Sequence, residues 1–274
     1  MKKIFITGGG GFIGSNLTSF LSKKKFMIFC LTNKRNRPKI KNVKYIYGKI
    51  NDNLDKYLNN VDLVIHCAAS GVYKIEKEQD VYQVNYLDSI NFFKNAYKLN
   101  CKNWIFIGSS GEYGLVKDKP MSVKNTKLKP LNNYGKSKVK FFRILSKLKI
   151  KKKCKILYLR VFHVYGKNEP KGRLYTNLIN AIKQNKDFKM TSGEEVRDFI
   201  DIKNVTEKIY KSFKLFNKKK LFLVKHIANG NKIKVKDFAK FHWKINKAKK
   251  QLLFGKLNKK NIYHTMYSDK SSLL

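Results

Sequence analysis

The stretch that most constrains this chain is its first turn, Ile4-Phe5-Ile6-Thr7-Gly8-Gly9-Gly10-Gly11-Phe12-Ile13-Gly14. An apolar run of strand character passes through a glycine loop into a helical pattern that starts near Ile13. Glycines at 8, 11 and 14 fall in the spacing Gly-x-x-Gly-x-x-Gly. Between a strand and a helix each has a task. Gly8 takes the tight turn, Gly11 lets a phosphate approach the backbone, and Gly14 lets the helix pack close to the strand. The open N–H groups of the helix N-terminus, with the positive end of its dipole, then face an anion. A glycine cluster alone also suits a plain strand-to-helix turn. Standing at the head of an α/β pattern, it makes binding of a dinucleotide pyrophosphate the stronger expectation.

That pattern continues down the chain. Apolar runs at 27–31, 43–47, 63–67, 104–107 and 156–159 read as short buried strands, alternating with helical patterns at 13–22, 81–99 and 134–148. Such alternation predicts an α/β fold, a doubly wound parallel sheet covered on both faces. Beyond Arg160 the rhythm changes: helices are expected at 174–184, 203–216 and 235–241, with a strand at 221–226. The expected organisation is a dinucleotide-binding domain over 1–160 and a smaller mixed lobe over 161–274. That lobe would pack on the open edge of the sheet and interleave with the first, since no linker separates them. The lysine triplets at 151–153 and 218–220 fall between elements and read as solvated loops.

A formal charge of +43 raises the question of nucleic acid, because lysine and arginine neutralise phosphates. The excess is nearly all lysine, spread over the whole length beside abundant Asn, Ile, Phe and Tyr. An A+T-rich coding sequence produces that mixture, and this compositional origin is preferred over a nucleic-acid role. An anionic small substrate would still gain from the field. No apolar run approaches the roughly 18 residues that span a bilayer. A cleaved leader would remove the glycine loop, so none is expected. Cys30, Cys67, Cys101 and Cys154 lie far apart. They read as reduced thiols of a cytoplasmic protein, neither disulfides nor a metal site.

A second constellation is Tyr134-Gly135-Lys136-Ser137-Lys138. Positions i and i+4 share a helix face, so phenol and ammonium stand together. A neighbouring cation favours phenolate and suits the tyrosine to proton transfer at a carbinol. Chance placement explains many such pairs; this one has the glycine loop upstream and Gly108-Ser109-Ser110-Gly111-Glu112-Tyr113-Gly114 after the fifth strand. Strand C-terminal ends are where open α/β sheets bind ligands, and a serine there can hydrogen-bond a substrate oxygen. Turn chemistry is the other account of Ser109 and Ser110.

Together these stretches resemble the extended short-chain dehydrogenase/reductase family, in its NAD-dependent nucleotide-sugar epimerase, dehydratase and reductase branch with a Rossmann-type sheet. The resemblance also covers Leu159-Arg160-Val161-Phe162-His163-Val164-Tyr165-Gly166 and Gly193-Glu194-Glu195-Val196-Arg197-Asp198-Phe199-Ile200. It implies that Gly8, Gly11 and Gly14, with the amides of Phe12 and Ile13, hold the dinucleotide, and that Ala68 and Ala69 line it. Asn85 matches a structural asparagine of the fourth helix, beside the cofactor. Tyr134 is the implied acid/base, with Lys138 lowering its pKa and holding the nicotinamide ribose. Counting back four from Tyr113 puts the assisting hydroxyl on Ser109, with Ser110 as neighbour toward the substrate. Arg197 matches an arginine that grips the nucleotide diphosphate, a task for a bidentate donor; an ion pair with Asp198 or Asp201 is the alternative. A homodimer is also implied.

Departures from the family pattern narrow the function. Dehydratases of this branch carry Asp-Glu where this chain has Ser110 and Gly111, so elimination of water lacks its acid pair. His163 replaces a frequent Asn, and Lys260 stands where an arginine often grips the nucleotide. The chain stops near Leu274, where the family usually continues into a Gly-Trp-x-Pro segment, and a truncated substrate lobe is expected. After the second strand come Thr32-Asn33-Lys34-Arg35-Asn36-Arg37, with no acid to hold a ribose 2′-OH. Asn33 and Arg35 there favour NADPH over NADH, unless the loop is only basic surface. The expected activity is hydride transfer at C4 of a nucleoside-diphosphate hexose. A 4-keto-6-deoxyhexose reductase is favoured over an NAD-dependent 4-epimerase of the UDP-glucose type. A dehydratase, or a non-catalytic protein binding a dinucleotide or RNA, ranks below both.

Overall fold

The computed structural model describes residues 2–72, 77–117, 119–148, 153–219, 221–257 and 265–274. The chain opens with β1 (Lys2–Thr7), α1 (Phe12–Leu21), β2 (Phe26–Thr32), β3 (Val43–Tyr47), the short α2 (Asp55–Leu58) and β4 (Leu63–His66). Then come α3 (Glu78–Tyr82), α4 (Ser89–Lys98), β5 (Asn103–Ser109), α5 (Asn133–Lys147) and β6 (Lys155–Val161). The remainder holds β7 (His163–Tyr165), α6 (Leu174–Lys183), β8 (Phe188–Lys189), β9 (Val196–Arg197), β10 (Phe199–Asp201) and α7 (Ile202–Lys211). It closes with β11 (Leu221–Ile227), β12 (Ile233–Lys234), α8 (Val235–Ile245), β13 (Leu252–Leu253) and β14 (Thr265–Met266).

Seven strands form one parallel sheet in the order β11-β6-β5-β4-β1-β2-β3. The fold is the doubly wound α/β sheet that the strand–helix alternation predicts. Burial on both faces accounts for the apolar strands. On β5, Ile105 and Ile107 point into a core shared with Leu17 and Leu21 of α1 and Val205 and Ile209 of α7. Trp104 and Phe106 point the other way, into a core with Phe92 and Phe93 of α4 and Phe141 and Leu145 of α5. The period-two alternation of a strand does this sorting, and each such side chain contributes about 1.5–3 kcal/mol when fully buried. The strand order reverses between β1 and β4, and ligands of open α/β sheets bind in the crevice at that point.

Three expectations are adjusted. The helix expected at 81–99 is broken into α3, a π-helical turn over Gln83–Asp88, and α4. The Asn85 amide explains the break, because it is drawn to the loop after β4, as described below. The pattern at 203–216 ends as an α-helix at Lys211 and continues as a 3₁₀ turn over Ser212–Asn217. The strand expected in the smaller lobe, β11, is instead the outer strand of the main sheet, in register with β6 from Leu221↔Lys155 to Ile227↔Val161. The chain beyond Val161 therefore contributes to the sheet as well as to small sheets of its own, β10-β7, β12-β9-β14 and β13-β8.

All four cysteines are free, and burial pushes the Cys67 and Cys101 thiols up to about 12 and that of Cys154 to about 11. Among the described residues no helix is long and apolar enough to cross a membrane, and no His/Cys/Asp/Glu cluster could hold a metal. Lys153, Lys218 and Lys219 are exposed; the other triplet residues lie outside the described residues.

Candidate active site

The glycine loop lies at the C-terminal end of β1, at the reversal of strand order. Gly8 has φ +66°, and a Cβ there would stand 2.6 Å from the Ala68 amide nitrogen. A side chain would thus push apart the loops after β1 and β4. A Cβ on Gly14 would collide with the Gly8 carbonyl, so helix and loop touch backbone to backbone. Gly11 is the N-cap of α1 and supplies no side-chain cap; the first turn carries no acid. The amides of Phe12 and Ile13 thus begin a helix whose N-terminus is open to an anion. Ala68 and Ala69 follow β4, with the Ala68 amide donating to Thr7 Oγ1 at 3.2 Å. These features fit a dinucleotide pyrophosphate.

His66, unnoticed in the sequence, braces this cradle. Its Nε2 faces Ser89 Oγ at 3.0 Å and its Nδ1 faces Thr7 Oγ1 at 2.9 Å. Ser89 donates onward to the Val84 carbonyl, so Nε2 carries the ring proton and Nδ1 accepts from Thr7. Burial, with the nearby Lys138 ammonium, lowers the His66 pKa to about 3. The ring is neutral and structural.

Helix α5 carries Tyr134 and Lys138. Asn132 caps it, accepting from the Gly135 amide at 2.8 Å. A Cβ on Gly135 would lie 2.7 Å from the Gly111 carbonyl, so the start of α5 rests on the turn that follows Ser109. Tyr134 is half-buried and Lys138 buried. Burial pulls the Lys138 pKa down to about 8, opposed by the charges of Glu112 and Cys67. Asn85 ties the loop after β4 to α5: it accepts from Ser70 N (2.8 Å) and donates to Ser70 O (2.9 Å) and Ser137 Oγ (3.0 Å). Ser137 in turn donates to the Tyr134 carbonyl at 2.7 Å.

Ser109 ends β5 half-buried, and Ser110 behind it is buried. A capping box holds Ser109: its Oγ accepts from Gly111 N (3.1 Å), and Glu112 Oε1 accepts from Ser109 N (2.9 Å). The spacing Ser-x-x-Glu signals this box in the sequence. Glu112 is fully buried and also accepts from Tyr158 Oη (2.8 Å) and Arg160 Nε (2.7 Å). From there the chain of donors runs from Arg160 Nη1 to Tyr113 Oη, from Tyr113 to His226 Nε2, from His226 Nδ1 to Ser268 Oγ, and on to the Asp269 carbonyl. Burial, with the charge of Arg160, lowers the His226 pKa to about 3.

On the far side a cavity of about 380 Å³ is walled by His163, Tyr165, Tyr175, Glu195, Arg197 and Phe238, among others. Phe199 and Phe238 stack at 3.8 Å on its wall. Arg197 Nη1 donates to the Val196 carbonyl at 2.8 Å, and burial depresses its pKa against the opposing charge of Glu195. Asp198 is occupied elsewhere, accepting from the amides of Asn229, Gly230 and Ser268. Asn33 and Arg35 lie exposed beyond β2, whereas Arg37 is half-buried near Tyr45. Lys260 lies outside the described residues.

The parallel sheet and the glycine turn at its reversal of strand order are the Rossmann-type frame of dinucleotide-binding proteins. The chain belongs to the NAD dependent epimerase/dehydratase family, which matches residues 4–221. It is 26% identical over 246 residues to a bifunctional UDP-glucose 4-epimerase and UDP-xylose 4-epimerase of Pisum sativum, covering 75% of this chain and 70% of that one. It is 27% identical over 213 residues to a GDP-6-deoxy-D-talose 4-dehydrogenase of Aggregatibacter actinomycetemcomitans, covering 76% and 69%. Its fold is similar to that of a UDP-N-acetylglucosamine 4-epimerase from Methanobrevibacter ruminantium M1, with TM-score 0.86, 22% identity and coverage of 98% and 90%.

Proposed function

We propose that this protein is an NAD(P)-dependent enzyme acting at C4 of a nucleoside-diphosphate hexose, and specifically a 4-keto-6-deoxyhexose reductase. The observation that supports the reading is the seating of α5, at Gly135, on the turn that follows Ser109, with Asn85 tying the same helix to the loop after β4. NAD(P)H, when bound, would supply the hydride and leave as NAD(P)+. Tyr134 gives the proton to the C4 oxygen, Ser109 steadies that oxygen, and Lys138 keeps a cation at the phenol. Gly8, Gly11, Phe12, Ile13, Gly14, Ala68 and Ala69 would hold the dinucleotide, with Asn85 bracing the wall. Ser110, His163 and Arg197 would face the nucleotide sugar. Dehydration is disfavoured because the nearest acid, Glu112, is buried with its oxygens committed to Ser109, Tyr158 and Arg160. The 4-epimerase is the second reading, supported by the likeness to the plant 4-epimerase. The same residues serve it if the keto sugar turns over before reduction.

Two expected results bear on binding. Arg197→Ala should weaken nucleotide-sugar affinity by about 1.5–3 kcal/mol, the loss of a charge-assisted hydrogen bond. Dinucleotide affinity should hardly move. Equal loss of both, tracking a lower melting temperature, would make Arg197 a structural residue. Separately, NADPH should bind several-fold tighter than NADH at near-physiological salt, and Arg35→Ala should erase most of that gap. Arg35 is exposed with no acid nearby in the loop, and a guanidinium binds two phosphate oxygens. NADH binding as tightly would reduce the loop to solvated surface and favour the epimerase.

A further inference from the structure

The cavity beside Arg197 contains an acid that the reading above leaves without a task. Residues 195–197 run extended: Val196 and Arg197 pair with Lys234 and Ile233, and Val235 N donates to the Glu195 carbonyl at 2.9 Å. Side chains of an extended chain alternate in direction. Glu194 turns outward to Lys234 (2.8 Å) and Lys236, whose hydrogen bonds hold its pKa at about 2. Glu195 and Arg197 both turn into the cavity. Glu195 Oε2 is shielded from solvent yet has no hydrogen-bond partner among the described residues. The Arg197 guanidinium is near enough for the two charges to interact, yet no described donor reaches that oxygen. A buried carboxylate oxygen without a donor is costly, so the position suits a ligand that brings one.

We propose that Glu195 accepts hydrogen bonds from the ribose 2′,3′-diol of the nucleoside diphosphate, making the site selective for ribonucleotides over 2′-deoxyribonucleotides. The inference rests on the nucleotide-sugar reading above. A carboxylate only accepts, so it selects neighbouring donors and repels phosphate. Two residues of extended chain separate Glu195 from Arg197 by about 7 Å. If Arg197 grips the diphosphate, that offset reaches the ribose hydroxyls, while the base edge lies farther along. A pyrimidine such as uracil would fit poorly at Glu195, because its one N–H is flanked by two carbonyls. Guanine, with adjacent N–H donors, is the rival occupant. A thymidine diphosphate sugar lacks the 2′-hydroxyl and forfeits half of the pair.

Calorimetric titration with matched pairs, UDP against 2′-deoxy-UDP and GDP against 2′-deoxy-GDP, tests this on the intact protein. Each ribonucleotide that binds should do so about ten- to hundredfold tighter than its 2′-deoxy partner, the value of one hydrogen bond to a charged group. Glu195→Ala should bring that ratio close to one, and Glu195→Gln should leave part of it. Unchanged dinucleotide affinity in both variants would verify the fold. Equal affinities within a pair in the unaltered protein overturn the proposal without any variant. So does a loss in Glu195→Ala confined to guanine nucleotides whatever their 2′ position, which would put Glu195 on the base. Failure of every nucleoside diphosphate to bind would remove this inference together with the nucleotide-sugar reading. Binding with no ribose preference removes this inference alone.

Discussion

Tyr134→Phe should lower turnover by roughly 10²–10⁴, the usual contribution of a positioned acid/base, and leave dinucleotide affinity nearly unchanged. Phenylalanine keeps the ring packed and deletes only the hydroxyl. The backbone of α5 is held independently, by the Asn132 cap and by Ser137 and Asn85. The variant should therefore fold like the parent. Lys138 sharpens the expectation: with its pKa near 8 it is mostly charged at neutral pH, and the reductive rate should fall as pH rises through that value. Turnover by Tyr134→Phe within threefold of the parent would remove Tyr134 from the chemistry.

Acid should destabilise the fold sooner than its few carboxylates would suggest. His66 and His226 are buried and neutral, with pKa values lowered to about 3. Unfolded, each would titrate near 6.5. Between those values the unfolded chain binds more protons than the folded one, so stability falls as pH falls through that window. From pH 7 to pH 5 each histidine should cost about 2 kcal/mol, and the pair about 4 kcal/mol. Urea unfolding at the two pH values measures it. His66→Gln and His226→Gln should each flatten the dependence, whatever they do to stability at pH 7. A stability that stays level from pH 7 to pH 5 would contradict the neutral, hydrogen-bonded assignment of both rings.

How much of this could be read from the chain follows from how far apart the partners lie. The glycine loop and the Tyr134–Lys138 pair are local, so spacing alone reveals which groups share a turn or a helix face. The parallel sheet shows in the apolar runs because strands buried on both faces leave no polar alternation. The network from Glu112 through Arg160, Tyr113 and His226 to Ser268 joins residues far apart in sequence, and no periodicity links them. Only its first step, Ser109 to Glu112, carries a local signature. β11 shows as a strand, but which sheet it joins depends on pairing with β6, more than fifty residues earlier. The π turn is likewise invisible locally, since it arises where Asn85 reaches Ser70. Glu194 and Glu195 look equivalent in sequence; the β9–β12 pairing sends one to the lysines and the other to the cavity.

The central claim, hydride chemistry at C4 of a nucleotide sugar with Tyr134 as proton donor, is tested most directly by one incubation. The protein is supplied with a panel of nucleoside-diphosphate 4-keto sugars and hexoses plus NADPH, NADH or NAD+. Nicotinamide absorbance and the configuration at C4 of the product are followed, with Tyr134→Phe alongside. The account predicts stoichiometric loss of NADPH with a 4-keto-6-deoxy sugar and a single C4 configuration, both absent in the variant. Inversion at C4 with no net loss of NADPH would keep the chemistry and replace the reductase by the epimerase. Neither oxidation nor inversion with any sugar, in protein that still binds the dinucleotide, would contradict the account.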